Sequence, residues 1–496
     1  MLLFHIINSA LGNDGYTFFP SNAKNAEVCG ISQDSRKISP GYIFASVKGL
    51  KSDGADYIRQ AAESGAVAVL TELDDGACSD IARVIPVIKV KNVRRALALI
   101  ALKIYFDGII PTDLIGITGT NGKTSVAFYT SHILNTCGIS AAALGTLGGV
   151  SPAGNVNTDR TTPDAVTLCD ILKGYADFGV KAVAMEVSSH ALALDRTYGL
   201  HFSVGVFTNL TEDHLDFHKS MDEYLAEKKK LFLQCDTAVL NSDDSAYQSI
   251  VKDIPCKKVT YSSVTANADY YALQKEHLPT GSCFAVCHKG ESHKIRLSTP
   301  GDFSVMNALA AIASCCEYGI PFEDACKAIA LSPPVPGRFE YMGEVNGAAV
   351  ILDYAHTPDG IKNVLSTARE FTKNKLIALF GCGGDRDRQK RSIMGAITTQ
   401  MADYTVITSD NPRNENELAI VSDIISGLDP QKAVYNIIID REAAITNAIL
   451  SAKEGDTVLI MGKGHEAYQQ IGSIRYPLSD RSIIINVIRK NKNGID

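Results

Sequence analysis

Residues 116–125 read GITGTNGKTS, a glycine-rich turn between an apolar β-type run, Asp113 to Gly119, and a stretch with helical periodicity. In that stretch Val126, Tyr129, Ile133 and Leu134 recur at helical spacing, burying one stripe against a sheet while the helix N-terminus stays free for an anion. Glycines let the backbone approach phosphate oxygens, Lys123 can reach terminal phosphates, and the Thr124 hydroxyl can bind Mg²⁺. Gly119, Thr120, Asn121, Gly122, Lys123, Thr124 and Ser125 are therefore candidate ATP-binding residues. The plain alternative is a glycine-rich turn with an exposed lysine.

The loop fixes the fold class because strands and helices alternate on both sides of it. Strands are expected at 113–118, 180–187, 204–209 and 237–241, with a helix over 124–137 stopped by Gly138. Upstream, a helix over Asp56 to Ser64, a strand over Ala66 to Leu70 and a helix over Val90 to Phe106 lead to an acidic, proline-containing connector. After the proline-rich stretch Ser332 to Gly337 the alternation restarts, with strands at 348–353, 375–380, 404–408, 433–439 and 456–461. A chain of 496 residues is long enough for about three domains, each with its own core. The expectation is an α/β protein with a small mixed α/β domain (1–108), a central P-loop ATPase-type domain (109–337) and a doubly wound, Rossmann-like domain (338–496) without GxGxxG.

A net charge of -7 argues against a protein that coats nucleic acid. The longest apolar candidate, Ala96 to Phe106, is too short for a bilayer and is broken by Lys103, so no membrane partner is expected. MLLFHIIN lacks a basic leader and reads as a first strand or helix, which suggests the cytoplasm. The 12 cysteines are scattered; Cys283 and Cys287, with Ala285, share one face of a strand and are expected to pack in a core rather than bind metal with His288. Cys315 and Cys316 read as buried helix residues in a reducing compartment.

Three further segments carry chemistry. Glu186, in VAMEVSSHAL, ends an apolar strand, where a carboxylate can hold Mg²⁺ or can simply cap. FTNLTEDHLDFH (207–218) sets Asp213, His214, Asp216 and His218 close together, as a metal ligand source or a solvated turn. Lys228, in MDEYLAEKKKLF, reads from composition alone as part of a solvated face.

TGTNGKT resembles the phosphate loop of the Mur ligases and folylpolyglutamate synthetases, with Ile117 breaking the strict GxxxxGK[ST] spacing. Tyr224, Lys228, Leu231 and Phe232 resemble the Mur pattern YxxxKxxLF; GDFSVMNALAA resembles GxFNVxNALAA, with Ser304 in place of an Asn; VPGRFE and DYAHTPD follow in order. On these motifs the chain resembles the Mur ligase family, in its UDP-N-acetylmuramoyl-tripeptide synthetase branch. That implies ATP contacts from Asn307 (beside adenine), Arg338, Asp353 (ribose) and His356, and two Mg²⁺ ions held by Thr124, Glu186, His214 and Lys228 as a CO₂-derived carbamate. Catalysis would fall to Lys123, His214 and Lys228.

The resemblance also implies a UDP-muramoyl dipeptide held by Ser35 of Asp34-Ser35-Arg36, by Gly49, Leu50, Lys51 and Ser52, and by Thr161, Thr162, Ser188 and Arg196. Arg160 stands where the family often has Asn. GCGGDRDRQKR, SDNPRNEN and GKGHE imply an amino-acid site built from Arg386, Asp410, Asn411, Pro412, Arg413, Gly462 and Glu466. The DNPR form goes with meso-diaminopimelate, whose distal carboxylate a guanidinium grips with two hydrogen bonds; lysine would leave Arg413 unpaired. The alternative for DNPR is a proline turn with a surface arginine.

The implied reaction is ATP-dependent phosphorylation of the D-glutamate carboxylate, then attack of the diaminopimelate amine on the acyl phosphate, in a monomeric enzyme of peptidoglycan precursor synthesis. A lysine-adding relative and a folylpolyglutamate synthetase share this chemistry. A P-loop ATPase or kinase would turn over ATP without an amino-acid acceptor.

Overall fold

A computed structural model describes every residue except 13, 20–24, 50–51, 216 and 493–496. Leu50, Lys51 and Asp216 thus lie outside the described residues.

Three large sheets and one two-stranded hairpin form along the described residues. The first has five strands; Gly30–Ser32, Tyr42–Ala45, Ala68–Thr71 and Val87–Val90 run parallel, and Tyr16–Phe19 closes one edge antiparallel. The second has 11 strands around Asp113–Thr118, which pairs in parallel with Ala182–Glu186 on one side and Phe202–Phe207 on the other. In the third sheet of six, Ala348–Leu352, Thr457–Ile460, Leu376–Phe380, Tyr404–Ile407 and Tyr435–Ile437 are parallel, with Glu340–Val345 antiparallel at one edge. Helices cover both of its faces, giving one core under Pro358–Phe371, Gln389–Met401 and Glu417–Ile425 and another under Arg441–Leu450 and Asp480–Lys492.

The helix expected from Val90 begins later. Val90 ends a strand, and the helix runs Val93–Phe106 with the Asn92 side chain accepting from Arg95 N at 2.9 Å. An Asn cap contributes about 1 kcal/mol, enough to set where strand gives way to helix. From Leu3 the MLLFHIIN segment enters the helix Leu3–Leu11, and the expected helix over Asp56 to Ser64 is a 3₁₀ turn, Gly54–Tyr57, leading into Ile58–Glu63.

One face of the first sheet has a core of its own, with Ile38, Phe44, Val69 and Val87, but the other face does not. One apolar cluster runs from Leu3 through Leu97 and Ile100 to Leu168, Leu172 and Ile250, because Val93–Phe106 packs between Leu3–Leu11 and Ala165–Asp177. In the strand Gly281–His288 the expected face is packed, with Ala285 and Cys287 buried and Cys283 partly so, while Phe284 and Val286 on the opposite face join the large apolar cluster of the central sheet. Phe and Val have the larger apolar surface to bury. Among the described residues no group of three or more His, Cys, Asp or Glu side chains is placed to hold a metal, and no helix is long and apolar enough to cross a membrane.

Candidate active site

The parallel register brings three loops to one edge. Ile117 pairs with Glu186 and Thr118 with Phe207, so the glycine-rich loop, Glu186 and the segment after Phe207 leave the sheet side by side. Thr208 Oγ1 donates to Asn121 O at 2.6 Å, and Asn209 Oδ1 accepts from Asn121 N at 2.9 Å, pinning the loop. Gly119 (φ 148°) and Gly122 (φ 87°) occupy backbone conformations that favour glycine; a Cβ at Gly122 would stand 2.4 Å from Asn307 Oδ1. That contact sets Asn307 against the loop. The helix Lys123–Thr136 starts with no side-chain cap, leaving its first N–H groups to an anion.

Lys123 Nζ donates to Gly119 O and Thr120 O, and burial lowers its pKa. Thr124 Oγ1 donates to Glu186 Oε1 at 2.9 Å, while Glu186 also accepts from Thr146 N at 2.7 Å. These two hard oxygens suit a magnesium ion whose remaining ligands would be phosphate oxygens and water. From the far side of the linker, Arg338 Nη2 donates to Thr124 Oγ1 at 2.9 Å; its Nε is buried without a hydrogen-bond partner, a donor left for a phosphate. Thr120 and Ser125 are buried, the former bonded to Thr211 O and the Tyr224 hydroxyl.

Lys228 is 1% exposed, not on a solvated face; its Nζ donates to Gly119 O at 2.8 Å and lies 4.1 Å from the Tyr224 ring centroid. Burial, then Lys123, drives its pKa well below that of a free lysine, favouring the neutral amine that carbamate formation needs. His214, at φ 57°, packs its ring 4.8 Å from His190 and 6.3 Å from Tyr224, beside Asp213 at 3.4 Å. Burial lowers the His214 pKa against the opposing pull of Asp213. Asp353 is more committed than expected: its two oxygens accept from Phe339 N and Ala355 N, joining the linker to the third sheet. His356 bonds through Nδ1 to Tyr354 O and lines the cleft.

Two cavities of about 740 Å³ open near this edge. Ser35, Gly49, Ser52, Arg94, Arg160 and Arg196 line the first. Burial, then the Arg160 charge, pushes Arg196 down to about 10. Arg196 Nη1 donates to Thr162 O, Thr162 Oγ1 to Ser188 Oγ, and Thr161 Oγ1 meets Thr146 Oγ1 at 3.2 Å, so these four candidates converge.

The second cavity is a cleft between central and third sheets. Thr161, Thr162, Ser188, Arg196 and His214 line one wall; Arg386, Asp410, Asn411, Arg413, Gly462 and Glu466 line the other. Arg413 Nη1 donates to Gly384 O at 2.7 Å, and its pKa is lowered by burial and by Arg386. Pro412 does not line the cleft: it is buried, its carbonyl accepting from Glu415 N, and it shapes the turn. Sequence reasoning missed Lys463, fully buried within GKGHE, and the hairpin Tyr468–Ile471 with Ile474–Pro477, whose Gln470 O accepts from Arg413 N. Lys463 stood in a motif already singled out; the short hairpin had no apolar alternation to reveal it.

Three family profiles match the chain: Mur ligase family, catalytic domain, over 27–105; Mur ligase middle domain over 117–315; and Mur ligase, glutamate ligase domain, over 337–464. A UDP-N-acetylmuramoyl-L-alanyl-D-glutamate--2,6-diaminopimelate ligase 2 of Clostridium acetobutylicum is 41% identical, covering 93% of this chain and 95% of its own. The 2,6-diaminopimelate ligase of Geobacillus thermodenitrificans is 39% identical, covering 96% and 98%. A solved structure of a UDP-N-acetylmuramoyl-L-alanyl-D-glutamate--2,6-diaminopimelate ligase superposes with a TM-score of 0.67 at 31% identity, covering 94% and 95%. A folylpolyglutamate synthase of Mycobacterium tuberculosis, 17% identical with a TM-score of 0.58 over 81% of this chain and 95% of its own, shares the fold alone.

Proposed function

The chain belongs to the Mur ligase family, and we propose that it joins meso-diaminopimelate to UDP-N-acetylmuramoyl-L-alanyl-D-glutamate at the expense of ATP. The observation that carries the reading is the single cleft: residues assigned to the acceptor carboxylate and to the incoming amino acid face each other across it.

We assign 1–108 to the uridine nucleotide, 109–337 to ATP and 338–496 to the amino acid. The Arg94, Arg160 and Arg196 cluster supports an anionic nucleotide substrate. Thr162, Ser188 and Arg196 hold the D-glutamate end of the dipeptide, and Lys123 leaves the Gly119 and Thr120 carbonyls to meet the γ-phosphate. Arg338 reaches the same phosphate from the third-sheet side. Magnesium, when bound through Thr124, Glu186, His214 and Lys228 as carbamate, supplies positive charge to the phosphate oxygens. The transfer makes an acyl phosphate; Arg413 and Glu466 then present the diaminopimelate so that its amine attacks the activated carbon and phosphate leaves. Contacts from Asn121 to Asp359 and Arg338 to Thr124 hold the walls together and keep water from that acyl phosphate. We place the protein in the cytoplasm, as a monomer, where ATP is available.

The test is phosphate release from ATP and the UDP-muramoyl dipeptide, with diaminopimelate or lysine as acceptor. Turnover with diaminopimelate and a hydroxamate on hydroxylamine trapping is expected. Equal turnover with lysine, or ATP hydrolysis independent of any amino acid, would overturn the proposal.

A further inference from the structure

Lys463 is 0% exposed, yet its ammonium sits in the wall of the amino-acid site. A buried ammonium is costly unless hydrogen-bonded, and its partners are two residues assigned to diaminopimelate. Nζ donates to Asn411 Oδ1 and Glu466 Oε2, each at 3.0 Å, and lies 5.4 Å from the Tyr468 ring centroid.

These contacts fix both partners. Asn411 Oδ1 accepts from Lys463 and from Gln470 N at 2.8 Å, so the amide cannot flip and its Nδ2 must face Glu466 Oε2, 2.9 Å away. Both bonds to Glu466 fall on Oε2, so Oε1 takes no part in the network. Lys463 does not itself line the cleft, whereas Asn411 and Glu466 do.

We infer that Lys463 is a positioning and specificity-determining residue: it orients Asn411 and partly neutralises Glu466, so that the site suits an amino acid with two carboxylates rather than one with a bare distal ammonium. The inference rests on the function proposed above. With Lys463 replaced by an uncharged residue, Glu466 would lose the one cation hydrogen-bonded to it among the described residues, leaving only the more distant Arg441 and Arg413, and would draw a more positively charged ligand. Lysine carries one carboxylate fewer than diaminopimelate, so it is the ligand that gains.

The experiment compares wild type, K463M, E466Q and K463M/E466Q in steady-state assays with diaminopimelate and lysine, alongside thermal melting. K463M should raise KM for diaminopimelate about tenfold, leave KM for ATP and for the UDP-muramoyl dipeptide nearly unchanged, and raise the lysine-to-diaminopimelate ratio of kcat/KM. In the E466Q background the Lys463 substitution should add little, since the carboxylate it serves is gone. If K463M raises all three KM values alike with a lowered melting temperature, or if the two substitutions are additive, the role is overturned. The double variant, which buries no unpaired charge, keeps the comparison readable if K463M folds poorly. Wild-type enzyme that turns over no diaminopimelate would sink both this role and the proposed function; normal wild-type kinetics with an unchanged K463M would sink only the role of Lys463.

Discussion

Lys123 and Lys228 donate to one acceptor, the carbonyl oxygen of Gly119, at 2.9 and 2.8 Å. Two buried ammonium groups on one carbonyl repel each other, and each lowers the stability of the other's charged form. With burial, the Lys123 charge favours the neutral form of Lys228.

If Lys228 becomes a carbamate, K228M should lose about 10²- to 10³-fold in kcat while still binding the UDP-muramoyl dipeptide. Carbon-13 NMR in labelled bicarbonate should show a carbamate in the wild type and none in K228M. Full activity in K228M would remove Lys228 from the site.

Arg413 stands at φ 51°, tied to the hairpin through Gln470 O and Gly472 N. Arg413→Gly therefore tolerates the same backbone conformation while removing the side chain and its guanidinium. KM for diaminopimelate should rise by about 30-fold or more, equivalent to roughly 2 kcal/mol or more for a lost charge-assisted pair. Slow turnover of lysine should not change, and a parallel loss with both acceptors would show that Arg413 shapes the loop rather than reading the ligand.

Arg441 and Asp480 are both wholly buried and joined by two hydrogen bonds, and Arg441 also donates to Ser409 O and Met461 O, just before Asp410 and Gly462. D480N should destabilise the protein by about 3–5 kcal/mol, because it strands a buried guanidinium. Denaturant melts read this directly; a change below about 1 kcal/mol would mean water reaches the pair.

Glu415 is held at about 2, below its ordinary 4.5, chiefly by its hydrogen bonds to Arg391. A lowered carboxylate pKa stabilises the fold above the unfolded value, and that stability is lost as pH falls through the folded one. Between pH 4.5 and 2 the wild type should therefore lose stability more steeply than E415Q, as followed by melting temperature against pH. Parallel acid limbs would exclude the Glu415 to Arg391 pair as a contributor.

The phosphate loop and the strands of the third sheet were legible because strands buried on both faces are short apolar runs, as in Val350 to Leu352 and Leu376 to Phe380. Of the antiparallel extension of the central sheet only the strand around Cys283 to Cys287 was legible: Tyr270–Leu278 mixes buried and exposed positions and carries a register shift between Leu273 and Glu276, which blurs any period of two. Lys228 was legible only through its resemblance to a family pattern, since a KKK run looks solvated until Tyr224 and Gly119 are folded over it.

By itself the sequence determined the residue types on offer: a glycine-rich loop of the kind that suits phosphate, a strand-end carboxylate, and an arginine in a DNPR turn. Those depend on residue type and local spacing, which the chain states outright. The tertiary structure alone decided which charges are buried and what each one faces. Lys463 meets Asn411 across 52 residues of chain, and Arg338 meets Thr124 across 214. Whether an ammonium is solvated or held in a wall is set by partners brought from distant strand ends, and that proximity exists only once the sheets have formed.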